Sequence, residues 1–257
     1  RAFSRDACKV TSVSGIFDFV WSLGPIARMR RLLDGVVREE KRLQRWQEQH
    51  AANDDNSDDK TSASSGGLIA ELVRAETEEG RLSHDELVAM IFLLLMAGHE
   101  TTTHAISSAV LCLLQDPAAR NWLAEDPTRY DLMVEEMLRF NSPVQFSKPR
   151  YVNTDGDFHG AALKKGDVIM ACLGAANRDP DVYDNPDQLD LQRRPNPHLE
   201  FGTGIHFCLG FQLARLEMRT AIAVLFQRCP DLALVGDGVE WSSRLGMRAL
   251  SRLAVKS

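Results

Sequence analysis

Apolar residues first recur at helical spacing from Ile26 onward. Ile26, Met29, Leu32, Leu33, Val36 and Val37 share one face, and charges crowd the opposite one. Pro25 suits the first position of that helix, because its missing N–H would be unpaired there, so the pattern predicts a helix from Pro25 to about Gln49. Residues 50–67 carry no large apolar residue, four Asp and a Gly pair, and read as a flexible, solvated loop. Leu68 to Glu78 reads as a short helix closed by Gly80. Ser83-x-x-Glu86 is a capping box that opens the longest helix, running to about Gln115. Asp116-Pro117 starts another helix, and Thr128 to Phe140 forms a third. After Pro143 the texture changes to short strands near 149–153, 157–160 and 167–172. Residues 184–207 are rich in Pro, Asn, Asp, Gly and Arg, an irregular stretch of a length seldom kept without a function. A last helix from about Leu209 to Arg228 precedes short terminal strands. The expected class is mainly α with small β-sheets.

The chain has 257 residues, 30 basic and 36 acidic, for a formal charge of −6. Such a surface argues against broad binding to nucleic acid or an anionic membrane, which reward clustered Lys and Arg. The 44% hydrophobic and 26% charged content is that of a globular protein able to bury a core. Cys8, Cys112, Cys172, Cys208 and Cys229 are scattered, odd in number and lack a Cys-x-x-Cys pair. A reducing, cytoplasmic setting is expected, with neither a disulfide framework nor a zinc ribbon. The longest apolar run, Leu87 to Gly98, falls short of the roughly 18 residues that a bilayer span requires, so a buried helix is expected there and no membrane span.

The chemistry concentrates in Phe201-Gly-Thr-Gly-Ile-His-Phe-Cys-Leu-Gly210. Gly202 and Gly204 allow a tight turn and close approach. Cys208 sits just before a helix, where N–H groups favour thiolate. A thiolate on a Gly-rich loop is a metal ligand or a nucleophile, although free Cys is also a common buried core residue. A zinc site would need about four ligands, and no second cluster offers them. Glu136 and Arg139 stand at i, i+3 on one helix face, a spacing that by itself suits an ordinary surface ion pair. In Ala97-Gly98-His99-Glu100-Thr101, an apolar helix is interrupted by a glycine and a carboxylate. Glu100 is there either exposed on an amphipathic face or buried and paired.

The ten-residue stretch resembles the haem-binding loop of cytochrome P450s, Phe-Gly-x-Gly-x-His/Arg-x-Cys-x-Gly, at every fixed position. The Glu-x-x-Arg pair, the Ala-Gly-His-Glu-Thr run and the segment from Arg150 to Asp167 resemble further family motifs, in the family's order. The resemblance implies the P450 fold and haem b, with Cys208 as the proximal iron ligand, Phe201 beside the sulfur, and Gly202, Gly204 and Gly210 shaping the loop. His206 and Arg150 would contact haem propionates, the latter through a planar fork that Lys lacks. Ala97 and Gly98 would border the oxygen pocket, Thr101 would hydrogen-bond dioxygen, and Glu100 would relay protons. Glu136 and Arg139 would be buried and joined by Arg193, with Arg194 as a one-residue alternative.

The implied activity is a soluble monooxygenase that inserts one oxygen atom of O2 into a lipophilic small molecule. Its electrons would come from NAD(P)H through a ferredoxin or flavoprotein. Phe92, Met96, Ala97, Val144, Gln145, Phe146, Ser242 and Ser243 are the implied substrate-facing positions. Residues 1–257 are expected to form a single partial domain lacking the family's N-terminal part. It would be helical over 1–140, mixed over 141–207, and built of the haem-loop helix and terminal strands over 208–257. The alternative is a truncated, non-catalytic P450 remnant or a fragment that does not hold haem.

Overall fold

The computed structural model describes residues 16–51, 67–77 and 80–257. Most of the expected 50–67 loop, together with Cys8 and Glu78, lies outside the described residues. The first helix, α1 (Ile16–Ala51), begins nine residues before Pro25, so Pro25 is not its first residue. A proline forfeits its own N–H bond and crowds the preceding turn. A helix can run through it at that cost, and Pro25 marks a permitted start, not a required one. Helix α2 (Leu68–Thr77) follows. It is trailed by Gly80 at φ +57°, a left-handed position suited to glycine.

Helix α3 (His84–Gln115) opens on the expected capping box. The Ser83 N–H donates to Glu86 Oε2 at 2.8 Å, and the Glu86 N–H donates to Ser83 Oγ at 3.3 Å. The chain forms two compact units divided between Ala97 and Gly98. In the first, Leu33 and Val37 of α1 pack with Val73 of α2 and with Leu87, Val88 and Ile91 of α3. Only a narrow stripe of the amphipathic pattern is buried: Met29, Leu33 and Val37, spaced four apart, are covered, whereas Leu32 and Val36 are exposed. Ion pairs Lys41–Glu76 and Arg30–Asp85, each 2.6 Å, link helices at the rim.

The second unit joins the rest of α3 to α4 (Pro117–Ala124), α5 (Tyr130–Phe140) and the helix that follows the cysteine loop. Asp116 caps α4 by accepting from the Ala119 N–H at 3.0 Å. The core gathers Ala109 and Leu113 of α3, Leu123 of α4, Met133 and Met137 of α5, and Met218 and Ile222 further on. Helix α3 is long and apolar enough to pass for a membrane span by length and composition alone. Its second half, with Ala105, Ser108, Ala109 and Leu113 buried, supplies the spine of this core.

Beyond α5 lie short strands. β1 (Arg150–Tyr151) pairs antiparallel with β4 (Val168–Ile169), and β2 (Gly156–Phe158) forms a hairpin with β3 (Ala161–Leu163). The sequence pattern places one strand over 157–160. The structure turns the chain there instead, because His159 and Gly160 take positive φ of 52° and 83°, as a two-residue hairpin turn requires. After the single-turn α6 (Leu173–Ala176), residues 184–207 hold no helix or strand except a short 3-10 turn at Gly204–His206. Helix α7 (Phe211–Arg228) and the antiparallel pair β5 (Ala233–Trp241) and β6 (Leu250–Lys256) end the fold. The described residues are mainly helical with three small sheets.

Candidate functional site

The i, i+3 pair on α5 is not a surface ion pair. Arg139 is 0% exposed and Glu136 1%. The Arg139 Nε–H and an Nη2–H donate to the two oxygens of Glu136 at 2.8 Å each, a bidentate fork. The other three Arg139 N–H groups donate to the carbonyls of Asn177 (2.9 Å), Pro186 (2.8 Å) and Gln188 (3.2 Å). Arg193 joins them, its Nε 3.3 Å from Glu136 Oε2. Arg194 is exposed on the surface, so the one-residue ambiguity resolves to Arg193. The Asp190 N–H and Asn196 Nδ2 also donate to Glu136, at 2.9 and 3.1 Å. The ring of Tyr183 lies under both guanidinium groups, 5.1 Å from Arg139 and 5.9 Å from Arg193. The network pins the irregular 184–207 segment by its backbone.

That segment delivers the cysteine loop. Gly202 and Gly204 both stand at φ +70°, where a side chain would strain the backbone. The Cys208 N–H donates to the Phe201 carbonyl at 2.9 Å and closes the turn. The Phe201 ring lies edge-on to Phe207 and Phe211, with the Arg215 guanidinium 4.6 Å above it. Cys208 is half-buried and precedes the first turn of α7, with Gly210 at the cap position. The helix therefore starts two residues later than the sequence pattern indicates, at Phe211.

Apolar side chains flank the cysteine without cover: Ile205 is 98% exposed and Leu209 80%. His206 and Arg150 are exposed as well, the latter at the start of β1 opposite Ile169. Among the described residues neither side chain has a hydrogen-bond or ion-pair partner. Of the implied substrate-facing positions, Phe92, Met96 and Ala97 belong to the first compact unit. Val144, Gln145, Phe146, Ser242 and Ser243 belong to the second.

Glu100 is partly buried and paired, not exposed on an amphipathic face. Its side chain is 11% exposed and is ion-paired with Arg244 from the turn between β5 and β6. His104, one helical turn on, places Nε2 3.8 Å from Glu100 Oε1. Thr101 is half-buried beside it in sequence.

Sequence reasoning did not single out two further carboxylates. Glu135 receives Arg215 Nε–H at 2.5 Å and Nη2–H at 2.7 Å, with His198 Nε2 at 3.0 Å. Burial alone would raise its carboxyl, yet the hydrogen bonds from Arg215 and His198 prevail and hold it at about 2. Arg215 thus links α5 to the Phe201 ring. Glu200, next to Phe201, is buried; Oε1 accepts the Val144 N–H at 2.9 Å, while Oε2 has no hydrogen-bond partner. Burial pushes its carboxyl up to about 8, against the Val144 N–H bond and the nearby Ser142 hydroxyl. Its position beside the loop motif, between Leu199 and Phe201, was the available signal. A cleft of about 970 Å³ between α4, α5 and α7 contains none of the sequence-predicted site residues.

Comparison with known proteins follows the same lines. The family model described as cytochrome P450 matches residues 11–129 and 130–234, and the chain belongs to that family. The polyketide biosynthesis cytochrome P450 PksS of Bacillus subtilis is 43% identical over 190 residues, 73% of this chain and 47% of that protein. The vitamin D(3) 25-hydroxylase of Pseudonocardia autotrophica is 48% identical over 191 residues, 73% of this chain and 47% of that protein. The chain thus spans about half the length of the curated relatives it matches. The solved structure of Bacillus subtilis PksS superposes with a TM-score of 0.80 at 32% identity, covering 99% of this chain and 61% of that one. P450BioI, solved with a hexadec-9Z-enoic acid ligated acyl carrier protein, gives the same four values.

Haem is the cofactor of this family, and the donors present fit it. Among the described residues no three His, Cys, Asp or Glu side chains gather to cage an ion. A metal at Cys208 must therefore bring its other donors with it, as a porphyrin does. The exposed apolar residues around Cys208, with the His206 ring and the Arg150 guanidinium as hydrogen-bond donors, suit an apolar macrocycle with two carboxylates.

Two outcomes follow from the buried groups. Arg139→Met should cost about 3–5 kcal/mol in chemical denaturation, because it removes the bidentate partner of a buried carboxylate and leaves three main-chain carbonyls without their donor. Arg194→Met should stay within about 0.5 kcal/mol. Folded Glu200 keeps its proton to about pH 8, whereas the unfolded chain releases it near the ordinary value of 4.5. Unfolding therefore releases a proton in that window, and stability falls as pH rises through it. Glu200→Gln should abolish that fall, read as a gap in denaturation midpoints that widens in favour of Gln from about pH 5 to about pH 8.

Proposed function

We propose that the chain is the haem-thiolate portion of an O2-dependent monooxygenase acting on a lipophilic small molecule. The observation that carries this reading is Cys208 on a loop whose two left-handed glycines and buried Glu136–Arg139–Arg193 anchor leave the thiol half-buried among uncovered apolar side chains. Haem b bound at Cys208 supplies reductive activation of O2, and thiolate ligation favours O–O cleavage. The residues of the chain do the rest. Phe201 and the Cys208 N–H bond hold the sulfur in place, while Arg150 and His206 bind the propionates. Glu100 and Thr101 bring protons to the oxygen side, which favours O2 over peroxide as the oxidant.

The relatives named for polyketide biosynthesis and vitamin D3 hydroxylation support an apolar substrate. Electrons from NAD(P)H through a ferredoxin or flavoprotein, and a soluble, cytoplasmic setting, belong to the same reading. The alternative reading is a remnant or fragment that does not hold haem.

The decisive measurement is the CO difference spectrum of the purified chain after addition of haem and reductant. A strongly red-shifted Soret band that disappears in Cys208→Ala establishes thiolate ligation. A band of histidine-ligated or free haem, or an unchanged spectrum in Cys208→Ala, overturns it in favour of the remnant. In a haem-loaded, reducible protein, Thr101→Ala should lower product formed per O2 consumed by about tenfold or more while O2 uptake continues. Tight coupling in that variant would remove Thr101 from the proton path.

A further inference from the structure

The pairing of Glu100 goes beyond the family motifs. Arg244 reaches it from a turn that is held rigidly from behind. The Gln145 N–H donates to the Gly246 carbonyl at 3.0 Å, the Arg248 N–H donates to Pro143 at 2.8 Å, and Val144 and Met247 form a bridge between them. The Arg244 N–H adds a 3.4 Å bond to Ser242 Oγ. The guanidinium is thus presented on a braced loop, not at the end of a free side chain. The same carboxylate oxygen that Arg244 binds, Oε1, is 3.8 Å from His104 Nε2. Residues 100 and 104 stand one turn apart on one face of α3, so this contact persists wherever the helix does. All three side chains are shielded, at 31%, 11% and 17% exposure for Arg244, Glu100 and His104. Their charges are therefore screened less than surface charges.

We propose that Arg244 is the positioning residue for Glu100: its guanidinium fixes the carboxylate between itself and His104, so that the charges of acid and imidazole are coupled as one unit. The assignment rests on the reading of Glu100 as the oxygen-side acid. The groups that face this unit are Arg244 from the turn and His99 and His104 from the helix itself. Burial lowers the proton affinity of His104, Glu100 raises it, and Arg244 and His99 lower it. Arg244 thereby opposes proton uptake at His104 both by direct repulsion and by competing for the carboxylate.

The test is the titration of His104 in the chain itself, followed by NMR of labelled histidine and assigned by the signal lost in His104→Gln. Arg244→Gln should raise the midpoint by roughly half to one pH unit, Glu100→Gln should lower it by a similar amount, and Arg244→Lys should stay near the parent value. A midpoint unmoved in Arg244→Gln, or moved equally in Arg244→Gln and Arg244→Lys, overturns the assignment. Should the Arg244 variants fail to fold, the Glu100→Gln shift alone decides whether the carboxylate and imidazole are coupled. The titration requires no haem, so it stands or falls separately from the CO spectrum. In haem-loaded protein, product formed per O2 should fall in Arg244→Gln and recover in Arg244→Lys.

Discussion

The buried carboxylate of Glu136 is the point on which the rest of the second unit depends. Desolvating an ion is expensive unless every lone pair finds a donor. Here Arg139, Arg193, Asn196 and a backbone N–H supply them. Arg139 in turn has all five of its N–H groups satisfied, three of them by main-chain carbonyls from Asn177 to Gln188. The network therefore fixes backbone, not merely side chains. A segment of about two dozen residues without regular structure has few hydrogen bonds of its own to define it. The guanidinium forks supply that definition, and the cysteine loop follows on from them.

From that anchor, polar contacts lead to both ends of the site. Glu135, next to Glu136 on α5, holds Arg215, which lies over the Phe201 ring and braces the first turn of the loop. Glu200 ties the residue before Phe201 to the Val144 N–H. Val144 in turn bridges to the turn that carries Arg244, and Arg244 reaches Glu100. Glu135 on α5 and Glu200 in the segment that leads to the loop thus take opposite electrostatic parts. Glu135 is stabilised as an anion by two donors, whereas Glu200, buried without a cation beside it, retains its proton.

Helices of this protein follow from local rules. The capping box at Ser83, the Asp116 cap and the left-handed Gly80 are short-range devices, and α2, α3, α4 and α5 end near where they indicate. The departures occur where local preference is permissive. Pro25 can begin a helix or be traversed by one, and the structure traverses it. The hairpin of β2 and β3 turns on His159, a residue that only the pairing of two strands places at positive φ.

What the sequence determined by itself was the identity of the chemistry-bearing groups: a glycine-spaced cysteine loop, a Glu-x-x-Arg pair and a Glu-Thr step in an apolar helix. These are local in the chain, and the residue types alone restrict what they can do. What only the tertiary structure decided was which charges meet. Arg193 and not Arg194 reaches Glu136, Glu100 finds Arg244 at a separation of 144 residues, and Glu200 is left with an unpaired oxygen. Burial and pairing of an ion are properties of the space around it, and that space is assembled from segments remote in the chain.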